Sequence, residues 1–108
     1  LDPASGIKPM TGTSIDDYYI SKPNPSPASD DVSIKFGTPV RGNVRINIYD
    51  QSGRLIDNLM DREISRGHYM IKWHGHDSNG SEVPSGTYFV IIRFGDSALR
   101  NEKIIRIK

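Results

Sequence analysis

The sequence predicts an all-β fold, an antiparallel sandwich of seven short strands around one core. Three observations predict it. Apolar and polar residues alternate in successive short runs, and Gly, Pro, Asn and Asp punctuate those runs at regular spacing. No stretch carries a convincing helical period. The chain has 108 residues, which fits one domain and one core.

Residues 1–17 show no period and are rich in Gly, Pro, Ser and Thr, so they read as a flexible linker or tail. Ile7, Met10 and Ile15 are the residues there able to dock on the body, which is expected to span 18–108. Residues 18–22 are a short strand, stopped by Pro23-Asn24-Pro25-Ser26-Pro27, whose fixed φ angles favour an extended, solvated passage. From Asp31 the alternation is clear. Val32, Ile34 and Phe36 point one way, Ser33 and Lys35 the other. After the break at Gly37-Thr38-Pro39, Val44, Ile46 and Ile48 repeat the pattern against Arg45, Asn47 and Tyr49.

Asp50-Gln51-Ser52-Gly53 has the same D-x-x-G form as Asp77-Ser78-Asn79-Gly80. In both, the Asp side chain can accept from backbone N–H groups two residues on, and Gly takes the left-handed position. Residues 54–60 are ambiguous: Leu55, Ile56, Leu59 and Met60 suit one helical turn as well as a bulged strand, and the strand is expected. Strands at Tyr69–Trp73, 87–94 and 99–107 complete the set.

The segment W-H-G-H-D-S-N-G-S-E-V-P-S-G-T-Y, residues 73–88, is the densest in signals. Asn79-Gly80 predicts a type I′ hairpin turn pinning the register of the strands on either side. Trp73 and Tyr88 are expected in the core, Asp77 as a turn cap, and Gly75, Gly80 and Gly86 at special backbone angles. Burying Trp73 removes roughly 200 Å² from water, an upper bound of about 5 kcal/mol.

Chemistry is harder to find. There is no cysteine, which excludes disulfides and thiolate metal sites. A net charge of +1 argues against a dedicated nucleic-acid surface, and no apolar run approaches the ~20 residues of a membrane-spanning helix. His74-Gly75-His76 places two imidazoles on one face of a strand, but a third firm metal ligand is missing. Asp77-x-Asn79-Gly80 is a fragment of a calcium loop without its closing Glu. No serine lies in a G-x-S-x-G elbow, no glycine-rich loop cradles phosphate, and Glu63, Glu82 and Glu102 stand isolated. The chain reads as non-enzymatic, with no cofactor and no metal.

Residues 87–94 are apolar on both faces, with Tyr88, Val90, Ile92 and Phe94 on one and Phe89 and Ile91 on the other. One face meets the core. For the other, cover by a neighbouring segment such as the tail is expected, and a partner-binding patch is the alternative. Arg93, Arg100, Lys103, Arg106 and Lys108 make the final hairpin basic, which a guarded, solvated edge also explains.

Three blocks carry a resemblance: I-Y-D-Q-S-G-R-L-I (48–56), G-H-Y-M-I-K-W-H-G-H-D-S-N-G (67–80) and V-P-S-G-T-Y-F-V (83–90). In order and spacing they resemble the immunoglobulin-like module first known from the flagellar hook-capping protein. The same strand and turn grammar appears in the type A C-terminal sorting domains of the bacterial type IX secretion system. The resemblance covers residues 18–108. Pro23-Asn24-Pro25 resembles the proline-containing opening of the sorting domains, and N-E-K-I-I-R-I-K (101–108) resembles their closing strand. Ser26-Pro27 departs from the pattern, where an aromatic or asparagine is common.

The resemblance implies a seven-stranded immunoglobulin-like sandwich serving as a non-catalytic C-terminal sorting and attachment module. Its partners would be the secretion machinery or cell-surface components, with a cargo domain preceding it in the same chain. The protein would be secreted or held on the outer surface of a bacterium. Phe89, Ile91, Arg100, Lys103, Arg106 and Lys108 are the candidate recognition residues. Opening on Leu1-Asp2, the chain reads as part of something longer or as a processed product. The alternative is an accessory carbohydrate-binding or spacer module, with Tyr18, Tyr19, Tyr49 and Phe89 as an aromatic platform.

Overall fold

The computed structural model describes residues 7–10 and 15–107. Eight strands are present among them, one more than the sequence predicts: β1 (Lys8–Met10), β2 (Tyr19–Ile20), β3 (Val32–Thr38), β4 (Gly42–Asp50), β5 (Leu55–Ile64), β6 (Gly67–Trp73), β7 (Gly86–Phe94) and β8 (Ala98–Arg106). They form two four-stranded antiparallel sheets, ordered β1-β6-β3-β2 and β5-β4-β7-β8. The fold is an immunoglobulin-like sandwich. The extra strand is β1, which lies in the segment read as a tail and pairs with β6 from Lys8↔Met70 to Met10↔His68. Ile15 is buried as well. The remainder of that segment, residues 1–6 and 11–14, lies outside the described residues.

The period-two pattern puts Val32, Ile34 and Phe36 of β3 and Ile71 and Trp73 of β6 inside from the first sheet. Val44, Ile46, Ile48, Tyr88, Val90, Ile92 and Ile104 meet them from the second. Trp73 is 1% exposed. Its ring lies tilted against Tyr88 at 5.4 Å between centroids, and its Nε1–H donates to the His76 carbonyl at 3.0 Å. The strand expected at 54–60 is β5, and it is bulged. Register shifts opposite Ile46/Asn47 and Ile48/Tyr49 mark the bulges, and Ile56, Met60 and Ile64 face inward at intervals of four. That spacing is why the segment also reads as helical.

The two D-x-x-G turns share one geometry. Asp50 Oδ1 accepts from the Ser52 and Arg54 N–H groups at 3.0 and 2.9 Å; Asp77 Oδ1 accepts from Asn79 and Ser81 at 2.9 and 3.0 Å. The Asp50 turn closes the β4–β5 hairpin. The Asp77 turn does not join neighbouring strands, which corrects the hairpin reading of 73–88. β6 pairs with β1 and β3, and β7 with β4 and β8, so residues 74–85 cross from one sheet to the other. Trp73 and Tyr88 face the core from opposite sheets, and strands so placed cannot be hydrogen-bonded neighbours. Nor is the turn type I′. Gly80 has φ +84°, but among the described residues no non-glycine has positive φ, so Asn79 stays right-handed. Asn79-Gly80 therefore shapes a loop and sets no strand register.

Gly75 answers a tighter constraint. Its φ is +74°, and a Cβ there would sit 2.4 Å from the Arg106 guanidinium carbon. That guanidinium fills the space beside the glycine, 5.6 Å from the Trp73 ring centroid, and donates from Nη1 to the Asp30 carbonyl at 2.8 Å. A Cβ on Gly80 would meet only open space. Gly75→Ala should therefore combine left-handed strain with overpacking and lose about 3–5 kcal/mol in urea unfolding. Gly80→Ala, with backbone strain alone, should lose about 1–2 kcal/mol.

Acid sensitivity follows from the Asp50 turn. Hydrogen bonds from the Ser52 hydroxyl and the Arg54 backbone N–H hold the Asp50 carboxyl below its ordinary value of 3.8. A depressed carboxyl contributes stability that is present above 3.8 and is lost as pH falls through the lower folded value. Urea midpoints measured from pH 5 downward should thus fall less steeply for Asp50→Asn than for the parent.

Candidate functional site

The outward side of the second sheet brings three predicted recognition residues together. Strand alternation turns Phe89 and Ile91 of β7 away from the core, and pairing sets Tyr49, Phe89 and Lys103 in one row across β4, β7 and β8. The next row is Asn47, Ile91 and Asn101, and beyond it stand Arg45, Arg93 and Leu99. Phe89 and Ile91 are half-buried by these neighbours, while Leu99 and Ile105 of β8 are exposed. The expected cover by the tail is not made among the described residues, because β1 runs along β6 in the other sheet. The face is left open, apolar at its centre and rimmed by amides, by cations and, on β5, by the Asp61 carboxylate paired with Arg45 at 3.2 Å.

The other three candidates lie elsewhere. Arg100 pairs with Ile92 rather than with an outward residue, so it projects to the opposite side of β8 from Lys103; its Nη1 donates to the Leu99 carbonyl. Arg106 is 3% exposed, with its Nε lacking a hydrogen-bond partner and Glu82 3.9 Å from Nη2. A cation so placed belongs to the interior and presents no surface for recognition. Lys108 lies outside the described residues. Alternation along β8 is legible in sequence. The strand's pairing partner, which decides which side is open, is not. Asn101, Leu99 and Ile105 were missed as members of the face for that reason, whereas Tyr49 stood with Phe89 in the expected aromatic platform.

The aromatic platform shrinks to two rings. Tyr18 packs on Phe94 at 4.9 Å between centroids. The Tyr19 hydroxyl lies 2.7 Å from His68 Nδ1, and burial pushes its phenol above the ordinary range. Tyr49 and Phe89 remain on the outward face, with the Tyr49 hydroxyl accepting from Asn47 Nδ2 at 3.1 Å.

The imidazole pair also changes character. β6 ends at Trp73 and Gly75 turns the chain, so His74 and His76 do not share a strand face. His74 Nδ1 instead meets Asp31 Oδ1 at 2.9 Å, and that contact holds the Asp31 carboxyl below its usual range. Among the described residues no three His, Asp or Glu side chains gather to hold a metal. The outward face has the form of a contact surface.

The FlgD Ig-like domain family matches residues 26–93. Among solved structures, FlgD from P. aeruginosa is similar with 25% identity and a TM-score of 0.57, over 71% of this chain and 62% of that one. Dimeric latent PorU from Porphyromonas gingivalis has 20% identity and a TM-score of 0.62, over 86% of this chain. PorZ, a surface component of the type IX secretion system of the same organism, has 23% identity and a TM-score of 0.55, over 84%. The chain spans only 10% of PorU and 11% of PorZ. No curated protein matches it in sequence.

The open face predicts a contrast between neighbours on one strand. Ile91→Ser, on the half-buried outward side, should cost at most about 1.5 kcal/mol in urea unfolding. Ile92→Ser, fully buried, should cost about 3–5 kcal/mol through its cavity and its unpaired hydroxyl.

Proposed function

The chain belongs to the FlgD Ig-like domain family, and from that premise we propose that it is the sorting and attachment module of a larger exported bacterial protein. It is a structural, non-catalytic domain that the type IX secretion machinery reads in its folded form. The chain before β1 connects it to the cargo, and the sandwich from β1 onward carries the address to the outer cell surface.

One observation carries this reading. The stretch that directly follows the Pro23-Asn24-Pro25 opening lies beside the end of the closing strand. Ala28 bridges Arg106 in parallel: its N–H donates to the Ile105 carbonyl at 2.8 Å, and its carbonyl accepts from Ile107 at 2.9 Å. The Ile105 N–H also reaches the Ser26 hydroxyl at 3.4 Å. The chain that follows the opening therefore pairs with the C-terminal end of β8, and β8 itself lies beyond the family match. The PorU and PorZ likenesses, which extend over more of the chain than the family match, support the same reading of the fold.

Recognition uses the face centred on Phe89, Ile91 and Lys103. Removing residues from Leu99 onward is a poor test, because β8 contributes buried Ile104 and Arg106 and pairs with β7 throughout. Such a truncation unfolds the module. Phe89→Ser with Lys103→Glu keeps the core intact. Fused to a reporter cargo in a bacterium with a type IX system, the parent module should deliver cargo to the surface. The double variant should cut delivery at least about fivefold with an unchanged circular-dichroism spectrum. Undiminished delivery by that variant sinks the recognition face, and no delivery by the folded parent sinks the sorting role.

A further inference from the structure

Two grooves meet at Lys22 on the side of the molecule where β2 closes the first sheet. One, of about 410 Å³, is lined by Ser21, Lys22, Asn24, Ser33, Lys35 and Met70. The other, of about 260 Å³, continues past Pro23 and Ser26 to Lys103, with Glu102 as the one carboxylate lining either groove among the described residues. The track thus runs Lys35, Lys22, Lys103. None of the three makes an ion pair among the described residues.

The lining between the lysines is unspent in the same way. Ser21 donates its backbone N–H to the Lys35 carbonyl at 2.8 Å, and Asn24 and Ser33 exchange backbone hydrogen bonds at 3.0 and 2.8 Å. The side chains of Ser21, Asn24 and Ser33 make no hydrogen bond among the described residues. Two hydroxyls and an amide, each able to donate and accept, therefore stand between unpaired cations.

We propose that this track binds an acidic polysaccharide, its carboxylates or sulfates on Lys35, Lys22 and Lys103 and its hydroxyls on Ser21, Asn24 and Ser33. An acidic peptide fits less well. A peptide gains most of its affinity at a sheet by adding a strand to free backbone groups, and on the floor of the larger groove Ser21, Asn24 and Ser33 already spend backbone groups on the link to β3. A polyol needs side chains that both donate and accept, and those are the groups left over. This site lies outside the family match's account and does not depend on the sorting role.

The test is titration of the intact chain with polygalacturonate, with neutral dextran and polyglutamate as comparisons, at low salt. Each exposed lysine–anion contact is worth up to about a fivefold change in affinity. Polygalacturonate should bind and dextran should not. Lys22→Gln with Lys35→Gln should weaken binding about tenfold or more, whereas Arg41→Gln with Arg54→Gln, which removes the same charge elsewhere, should change it less than about twofold. All four positions are exposed, so melting temperatures should stay close to the parent's. Equal weakening by both pairs, tighter binding of polyglutamate than of polygalacturonate, or no binding of polygalacturonate would each overturn the proposal.

Discussion

The fold hangs on the Arg106 guanidinium lying over Trp73. Trp73 ends β6, Arg106 ends β8, and these strands belong to different sheets. With Trp73 against Tyr88, this contact ties the sheets together at the end where no hydrogen-bond ladder can. A buried cation is costly unless its surroundings compensate. Here the ring face, the Asp30 carbonyl and the more distant Glu82 carboxylate share that task, and Nε is left unmatched. Gly75 is part of the same arrangement, since only a residue without Cβ leaves room for the guanidinium. The loop around Asp30 and Ala28 is drawn in with it, which gives the closing strand a partner on each side.

That contact also marks where sequence reasoning stops. Alternation placed Val32, Ile34, Phe36, Val44, Ile46 and Ile48 in the core, because a two-residue period is a local property of extended chain. It also identified Trp73 and the Asp turns, whose hydrogen bonds span four residues. Arg106 looked like a surface cation because its burial depends on Trp73, Gly75 and Asp30, all far away in sequence. The same limit explains the segment 73–88. Asn-Gly is a hairpin signal only if the strands beside it pair, and these strands belong to opposite sheets. β1 escaped for a related reason: three residues carry no period, and β6 supplies the ladder that makes them a strand.

The basic closing segment divides into roles that composition cannot distinguish. Along β8, Lys103 faces outward beside Phe89, Arg100 faces the other way, and Arg106 is interior. One cation therefore lies on the open face, one on the opposite side of the strand, and one in the core. The outward face follows from the same geometry. β7 is apolar on both sides, yet only its Tyr88, Val90, Ile92 and Phe94 side has a sheet to pack against. Phe89 and Ile91 are shielded only by side chains of adjacent strands, which is the condition of a surface that a partner can finish burying.

Lys103 stands in both surfaces. It flanks Phe89 in the open face and closes the far end of the groove that begins at Lys35. Its single ammonium cannot be fully engaged at both places, so the proposed polyanion in the groove and the proposed partner on the face would draw on one charge. Linkage makes such coupling reciprocal: whatever one ligand loses by the other's presence, the other loses equally. The coupling is bounded by what one exposed lysine is worth, up to about 1 kcal/mol. With both proposed ligands present it would tune the balance between the two surfaces without closing either. Phe89 and Ile91 carry the face in apolar area, and Lys22 and Lys35 carry the groove in charge.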